Sequence, residues 1–363
     1  ITMKFWKMNG AGNDFLIINN LSGIIRPEQW PQIAQTVCER HRSVGADGLM
    51  AVEKSDSADY KMLFFNSDGS MGEMCGNGAR CICRYGYETG LAGEVQHVET
   101  TAGLVTGWRM DARMYRVRLN DPTHIELDGR ADIDGKTYRY AYVELGDPCI
   151  PHAVVEIPGL RTCNEDALRE LGRRLRHYKA FPKGANVNFY ERIGDDHLYE
   201  RTFERGVEDF TYACGTGTGS LVTALTLRGE VSGRGVRVDM TGGRLIIDVE
   251  YDEGRVENLY LTGPTNIVCK GELTDEERAN THLNVYRDED EAMLAFKDHL
   301  IGTHQPIRVR VEKALPDGTM GHKIVDTTIG RIVFNHNIPQ DLGFVERVDE
   351  NGNSTEHYFD YEI

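Results

Sequence analysis

Apolar and polar residues alternate with period two along much of this chain. The runs that do so predict strands over Lys61–Phe65, Gly103–Met110, Met114–Leu119, Tyr138–Leu145, Ala185–Glu191, Leu198–Glu204 and Val236–Met240. Leu245–Tyr251 and Val256–Leu261 are two more, and Asp252-Glu253-Gly254 between them signals a tight hairpin. Helical spacing is rarer. Trp30, Ile33 and Val37 fall at i, i+3 and i+7 of a predicted helix over Pro27–Cys38. Asn164 reads as the N-cap of another, with Leu168, Leu171 and Leu175 on one face. Two short helices are predicted over Ala79–Tyr87 and Ser220–Leu227. The picture is one of β hairpins with a few helices.

Composition bounds this picture. At 363 residues, 40% of them hydrophobic, the chain can build two ordinary domains and something extra. No apolar run approaches the ~18 residues of a membrane span. No charged-then-apolar leader opens the chain, so a cytoplasmic location is expected, with Met3 as the natural start after Ile1 and Thr2. A net charge of -16 speaks against nonspecific nucleic-acid binding, which needs a basic face. The eight cysteines are Cys38, Cys75, Cys81, Cys83, Cys149, Cys163, Cys214 and Cys269. In a core-rich chain with no sign of export they read as reduced thiols. Cys75, Cys81 and Cys83 cluster, but no second CxxC or histidine pair stands at finger spacing, so no metal is expected.

One unit occurs twice. A strand ending at Phe65 leads through Asn66-Ser67-Asp68-Gly69 to Glu73-Met74-Cys75-Gly76-Asn77-Gly78. A strand ending at Glu204-Arg205-Gly206 leads to Tyr212-Ala213-Cys214-Gly215-Thr216-Gly217. Each Cys-Gly-polar-Gly unit precedes a predicted helix. The repetition implies an internal duplication, with half a site in each copy and a cleft where they meet.

The residue types suit a definite chemistry. A cysteine at a helix start lies near free N–H groups and the positive end of the helix dipole, which stabilise a thiolate. Glycines beside it let backbone donors approach a bound carboxylate. Two such starts facing one cleft would place thiols on opposite faces of a carbon acid. One removes the α-proton and the other returns a proton from the far side, which inverts the centre. The enolate-like charge that develops would be held by the helix N-termini. Either unit alone reads as a glycine turn with a buried cysteine; the matched pair favours the chemical reading.

Several motifs together resemble the diaminopimelate epimerase family. They are Lys7-Met8-Asn9-Gly10-Ala11-Gly12-Asn13-Asp14-Phe15, Phe65-Asn66-Ser67-Asp68-Gly69-Ser70, Met74-Cys75-Gly76-Asn77-Gly78-Ala79-Arg80, Asn186-Val187-Asn188-Phe189, Glu204-Arg205-Gly206, Ala213-Cys214-Gly215-Thr216-Gly217 and Thr262-Gly263-Pro264. The resemblance runs from Met3 to about Glu272. It implies an α+β fold of two pseudo-symmetric domains, each a mixed sheet wrapped around a central helix. The first would span residues 1–122, with a closing strand at about 264–274, and the second 123–263. It further implies a homodimer, no pyridoxal phosphate or other cofactor, and no metal. The implied reaction interconverts LL- and meso-diaminopimelate in lysine and cell-wall synthesis. By motif position Cys75 and Cys214 are the acid/base pair. Gly76, Asn77, Gly215 and Thr216 would hold the reacting carboxylate. Asn13, Asn66, Asn186, Glu204 and Arg205 would surround the rest of the substrate, with Arg205 on the distal carboxylate. Glu204 and His152 would tune the thiols. Read singly, Asn13 and Asn66 are also turn residues, Arg205 a surface cation and His152 a partly buried histidine.

Three departures from the family pattern touch substrate recognition. Ile150-Pro151-His152 stands where Asn-Pro-His is usual, Gly48 where some members have glutamine, and Val207–Tyr212 is one residue longer than the common form. They keep open a related two-thiol racemase acting on proline, hydroxyproline or another amino acid. After about Thr274 the sequence changes character. Asp275-Glu276-Glu277-Arg278 and Arg287-Asp288-Glu289-Asp290-Glu291 are charge-rich, with no strand pattern between Thr274 and Asp290. Then follow Asp290–Phe296, Pro306-Ile307-Arg308-Val309-Arg310-Val311 and Asp326–Asn335, with Pro306–Val311 and Arg331–Phe334 strand-like. This order resembles a stretch of the bacterial RNA polymerase beta-prime subunit without its catalytic aspartate loop. Residues 275–363 are therefore expected to form an appendage outside the active site. A non-catalytic, polymerase-associated role is the third reading it leaves open.

Overall fold

Apolar periodicity of two becomes seventeen strands among the described residues up to Leu273, wound around two helices that are buried almost all round. In this computed structural model the described residues are 3–72, 76–280, 285–298, 301–304, 307–314, 320–335, 344–348 and 354–358. The chain divides into two compact units, Phe5–Gly271 and Glu272–Ile363 together with Ile1–Lys4.

In chain order the larger unit carries β1 (Met3–Gly10), β2 (Asn13–Asn19), α1 (Trp30–Val37), β3 (Gly48–Glu53), β4 (Tyr60–Asn66), α2 (Gly76–Glu88), β5 (Val95–Thr100), β6 (Gly103–Arg109) and β7 (Met114–Arg118). The second copy follows with β8 (Pro122–Ile133), β9 (Lys136–Leu145), β10 (Ile150–Glu156), α3 (Glu165–Arg176), β11 (Asn186–Gly194), β12 (His197–Glu204), β13 (Asp209–Thr211), α4 (Gly215–Leu227), β14 (Val236–Met240), β15 (Gly243–Asp252), β16 (Arg255–Pro264) and β17 (Asn266–Leu273).

Strand pairing shows the duplication directly. β1 to β7 pair in sequence, antiparallel, parallel, antiparallel, parallel, antiparallel, antiparallel. β9, β10, β11, β12, β14, β15 and β16 repeat that series without change. α1 and α3 occupy the first parallel crossover of each copy, and α2 and α4 the second. The last strands, β7 and β16, pair antiparallel and join the halves. The fold is thus α+β with two pseudo-symmetric halves. α4 is buried from Gly215 to Thr226, and its small residues let the strands close around it. α2 is buried along most of its length in the same way.

Local chemistry accounts for the elements. The Asn164 side chain caps α3 by accepting from Ala167 N at 2.9 Å. The predicted β15–β16 hairpin turns at Glu253-Gly254, with φ of 47° and 79°, the double left-handed geometry of a two-residue turn. Pro27–Gln29 is a single 3-10 turn, and the α-helix starts only at Trp30. β1, β2, β3, β5, the long β8, β10 and the short β13 were not foreseen. The other difference matters for function: α2 and α4 begin at Gly76 and Gly215, three and five residues before the predicted starts, so the glycine units are the first turns of the helices and not turns ahead of them.

The C-terminal unit contains α5 (Asp275–Asn280), β18 (Val285–Tyr286), α6 (Glu289–Lys297), β19 (Ile307–Ala314), β20 (Met320–Thr327), α7 (Ile329–Asn335) and the hairpin β21 (Phe344–Val348) with β22 (Ser354–Tyr358). Ala292, Ile307, Val309, Val325, Ile329 and Ile332 belong to a core of its own. Two readings are corrected here. Arg331–Phe334 is helical: Thr328 Oγ1 accepts from Arg331 N at 3.2 Å, and Ile329 and Ile332 are both buried at i, i+3. The stretch from Thr274 to Asp290 is not devoid of structure, since it holds α5 and β18. Pro306, from a predicted strand, lies outside the described residues.

Candidate active site

The two helix starts meet. A Cβ placed on Gly215 would lie 3.4 Å from Gly76 Cα and 3.7 Å from Asn77 N, and one on Gly76 would lie 3.8 Å from Gly215 Cα. The two N-termini thus lie within van der Waals reach of each other, and Leu261 of β16 packs against both, 3.1 Å from a Cβ on Gly215 and 3.6 Å from one on Gly76. Their free first-turn N–H groups and their dipoles converge on one region. A cavity of about 800 Å³ opens there. Its walls bring together Asn13, Asn66, Gly76, Asn77, Asn186, Glu204, Arg205, Cys214, Gly215 and Thr216, every one of them singled out in the sequence. Cys75, the other candidate thiol, lies outside the described residues.

Cys214 is the N-cap of α4, in extended conformation and with its sulfur unused as a cap. Burial pushes its thiol well up, and the Glu204 carboxylate adds to the effect; the Thr216 hydroxyl and the Gly217 N–H oppose it. Cys214 therefore rests as a thiol. Its Sγ lies 3.6 Å from Thr216 Oγ1. Thr216 Oγ1 is 3.1 Å from Nε2 of His152, whose Nδ1 is 2.9 Å from Asn188 Oδ1. Asn188 Nδ2 donates to Glu200 Oε1 at 3.0 Å and to Thr202 Oγ1 at 2.8 Å. That fixes the direction of the whole line. Asn188 Oδ1 can only accept, so His152 carries its proton on Nδ1, and Nε2 must accept from Thr216. The lone pairs of Thr216 are then left to receive the Cys214 S–H. His152 is fully buried and burial lowers it to about 4, so it stays neutral. Thr216 stands between His152 and the thiol.

The opposite wall is polar and tied to α2. Asn77 Nδ2 donates to Asn13 Oδ1 at 2.5 Å, and Asn77 Oδ1 accepts from Arg80 at 2.9 Å. Asn13 Nδ2 donates to Asp47 Oδ2 at 3.2 Å, and Asp47 is held with Asp14 by Arg40. Asn66, on the cavity wall, donates from Nδ2 to Ser70 Oγ at 3.0 Å. Asn186 Oδ1 accepts from Arg205 N at 2.7 Å and fixes the end of β12. The Arg205 guanidinium bonds Lys183 O at 3.3 Å, and among the described residues no carboxylate pairs with it. Glu204 is raised by burial, helped by Asp47 and opposed by the Thr211 hydroxyl.

The three departures acquire places. Ile150 lines the cavity. A Cβ on Gly48 would fall 2.5 Å from the Phe64 ring and 2.7 Å from Phe65 O, so the Phe64 ring fills the space a longer side chain would need. The extended loop forms β13, which pairs with β12 and sets Phe210 under Arg201 at 4.4 Å. Glu200, Asn188, Thr218 and Asp47 were not singled out for the site. The signal for Glu200 was its phase: Leu198, Glu200 and Thr202 share the buried face of β12.

The sequence profile of one family, diaminopimelate epimerase, matches residues 5–125 and 147–268. The diaminopimelate epimerase of Aquifex aeolicus is 35% identical over 284 residues, covering 76% of this chain and 99% of the relative. That of Archaeoglobus fulgidus is 36% identical over 286 residues, 75% of this chain and 96% of the relative. Among solved structures, the PhzF-family phenazine biosynthesis protein of Bacillus anthracis superposes with a TM-score of 0.59 at 17% identity, over 76% of this chain and 99% of that one. A hydroxyproline epimerase from Agrobacterium vitis with bound trans-4-OH-L-proline gives 0.57 at 17% identity, over 75% and 91%. At these identities the two structures speak for the fold.

Proposed function

The chain belongs to the diaminopimelate epimerase family, a family of isomerases, and from that premise we propose that it interconverts LL- and meso-diaminopimelate with Cys214 and Cys75 as proton donor and acceptor. The observation that carries the reading is the meeting of two glycine-opened helix starts at one cavity, with Cys214 capping one and Cys75 preceding the other in sequence. The substrate's reacting carboxylate sits against the N–H groups of Gly76, Asn77, Gly215 and Thr216. Cys75, as thiolate, takes the α-proton from one face, and the Cys214 thiol delivers its own proton to the other. As the proton leaves Cys214, the Gly217 N–H favours the anionic sulfur, and the Thr216 hydroxyl can turn from His152 Nε2 to the new thiolate. The reverse direction exchanges the two roles. Arg205 holds the distal carboxylate, and Asn13, Asn66 and Asn186 fix the amino and carboxylate groups around it. The chemistry calls for no cofactor. A homodimeric, cytoplasmic enzyme of lysine and cell-wall precursor synthesis completes the reading.

The family match ends at residue 268, so we assign the C-terminal unit no part in the reaction. Its likeness to a polymerase beta-prime segment rests on sequence pattern alone. The deciding experiment is uptake of solvent deuterium at the α-carbon of LL-diaminopimelate, with proline, hydroxyproline and other amino acids beside it. Exchange with diaminopimelate alone supports the proposal. Exchange with proline or hydroxyproline in its place would move the chain to the racemase reading, which Ile150 in the cavity wall would then explain.

A further inference from the structure

Glu200 is a carboxyl group that the chemistry above does not use. It is 1% exposed, on the inner face of β12, and among the described residues no lysine or arginine pairs with it. Its Oε1 accepts from Asn188 Nδ2 at 3.0 Å, and its Oε2 lies 2.5 Å from Thr218 Oγ1. Thr218 Oγ1 is also 2.9 Å from the Cys214 carbonyl oxygen. A hydroxyl has one hydrogen, and a carbonyl can only accept. Both contacts of Thr218 are made only if Glu200 is the donor to Thr218, which then donates to Cys214 O. That requires a protonated carboxyl. Burial without a cation favours the same state, because an unpaired buried charge is heavily penalised.

We propose that Glu200, as a neutral carboxylic acid, is a positioning residue for the Cys214 thiol, holding it through Asn188, His152 and Thr216 on one side and through Thr218 and the Cys214 carbonyl on the other. The proposal rests on the reading of Cys214 as an acid/base residue. By receiving one Asn188 N–H, Glu200 sets which way the amide faces. That choice fixes the His152 tautomer and turns the Thr216 lone pairs toward the sulfur. The close approach of these parts explains Gly217, where a Cβ would stand 2.1 Å from Asn188 Nδ2 and 3.2 Å from Cys214 Sγ. The titratable groups around Glu200 are His152 on β10, Cys214 at the start of α4 and Glu204 on its own strand; β11 and α4 otherwise present Asn188 and Thr218, which do not titrate. Burial raises Glu200 to about 7, so it ionises close to neutrality. Ionisation would draw the Thr218 hydrogen away from Cys214 and place a charge that makes the thiol a weaker acid.

The test compares Glu200→Gln and Glu200→Leu with the wild-type protein. Gln can accept from Asn188 and donate to Thr218, as the neutral acid does. Wild-type kcat should fall as pH rises through about 7. Glu200→Gln should lack that step and keep kcat near the wild-type acid plateau. Glu200→Leu should lose roughly ten- to a hundredfold in kcat with KM little changed, the rate equivalent of unpairing one buried group. Infrared difference spectra of wild type against Glu200→Gln, taken without substrate, should show a protonated carboxyl C=O stretch in the wild type that disappears above neutrality. A wild-type spectrum with only the carboxylate at acid to neutral pH would overturn the proposal, as would an unchanged pH step in Glu200→Gln or full kcat in Glu200→Leu. If Glu200→Leu does not fold, the Gln variant and the infrared band decide alone. The band is read without turnover, so a different substrate would unseat the functional reading and leave this test intact.

Discussion

Replacing Gly217 by alanine adds one methyl group at the point where the buried polar line meets the helix start. The new Cβ would sit 2.1 Å from Asn188 Nδ2 and 3.1 Å from its Cγ. No contact that short persists, so the amide must move. Asn188 is fully buried and bonded to Glu200, Thr202 and His152, and shifting it breaks at least two of those bonds. Each buried group left without a partner costs roughly 1–3 kcal/mol. Alanine in a helix returns at most about 1 kcal/mol over glycine. The balance is a loss of about 3 kcal/mol. Gly219→Ala is the control, two positions further along α4 and on another face of it: its Cβ would meet the end of Leu119 at 2.7 Å and of Leu259 at 3.2 Å, both apolar and able to turn aside. That change should cost no more than about 1 kcal/mol. Urea denaturation of both variants, analysed with a shared m-value, measures the difference. Gly217→Ala as stable as Gly219→Ala would refute the idea that a packed polar line, and not helix geometry, demands glycine there.

Other expectations follow from the site. Cys214→Ala and Cys75→Ala should each fold and each lose epimerisation; near-normal turnover by either, read by chiral chromatography of the product, would end the two-thiol scheme. Arg205→Lys should raise KM for diaminopimelate on the order of tenfold, because lysine cannot make the two parallel bonds of a guanidinium; an unchanged KM points to a substrate with one carboxylate. Cutting the chain after Thr274 keeps β17 and every cavity residue, so the shortened protein should retain its kcat; a large loss would show that the C-terminal unit serves the enzyme.

How much of this was legible beforehand depended on distance along the chain. The paired Cys-Gly-x-Gly units are local, and their chemistry could be read from five residues at a time. The helix starts were misjudged because glycine disfavours a helix taken alone; Gly76 and Gly215 are helical because each start is packed against the other, a contact 139 positions apart in the sequence numbering. The polar line behind Cys214 was hidden for the same reason. His152, Asn188, Glu200 and Thr216 come from three strands and a helix, and no local pattern ties a glutamate on β12 to a thiol on α4. In the C-terminal unit, Ile332 and Val333 are β-branched and invite a strand reading, but the Thr328 cap and the i, i+3 burial decide for helix.

The duplication also explains how two like cysteines take unlike roles. Register relates the halves residue by residue. Phe15 pairs with Gly48 as His152 pairs with Asn186, and Gly48 pairs with Asn66. The β11–β12 register that joins Val187 to Phe203 carries on to Asn186 and Glu204, so Asn66 and Glu204 are equivalent positions. Five residues after each cysteine stand Arg80 and Gly219. The first half therefore has a buried cation in the opening turns of α2, bonded to Asn77 Oδ1 at 2.9 Å, and an amide where the second half has a carboxyl. The second half has Glu204, whose charge pushes the Cys214 thiol up, and no cation at the Arg80 position. A cation favours a thiolate and a carboxylate disfavours one. Cys75 should ionise at lower pH than Cys214, making it the base of the resting enzyme and Cys214 the acid. Alkylation by iodoacetamide over a pH series, on intact protein without substrate and with each thiol followed by peptide mapping, measures the order. Glu204→Gln should lower the Cys214 curve in part, burial still holding that thiol up, and leave Cys75 nearly unmoved. Coincident curves in the wild type, or Cys214 reacting at the lower pH, would show that the electrostatic difference between the halves does not assign the roles.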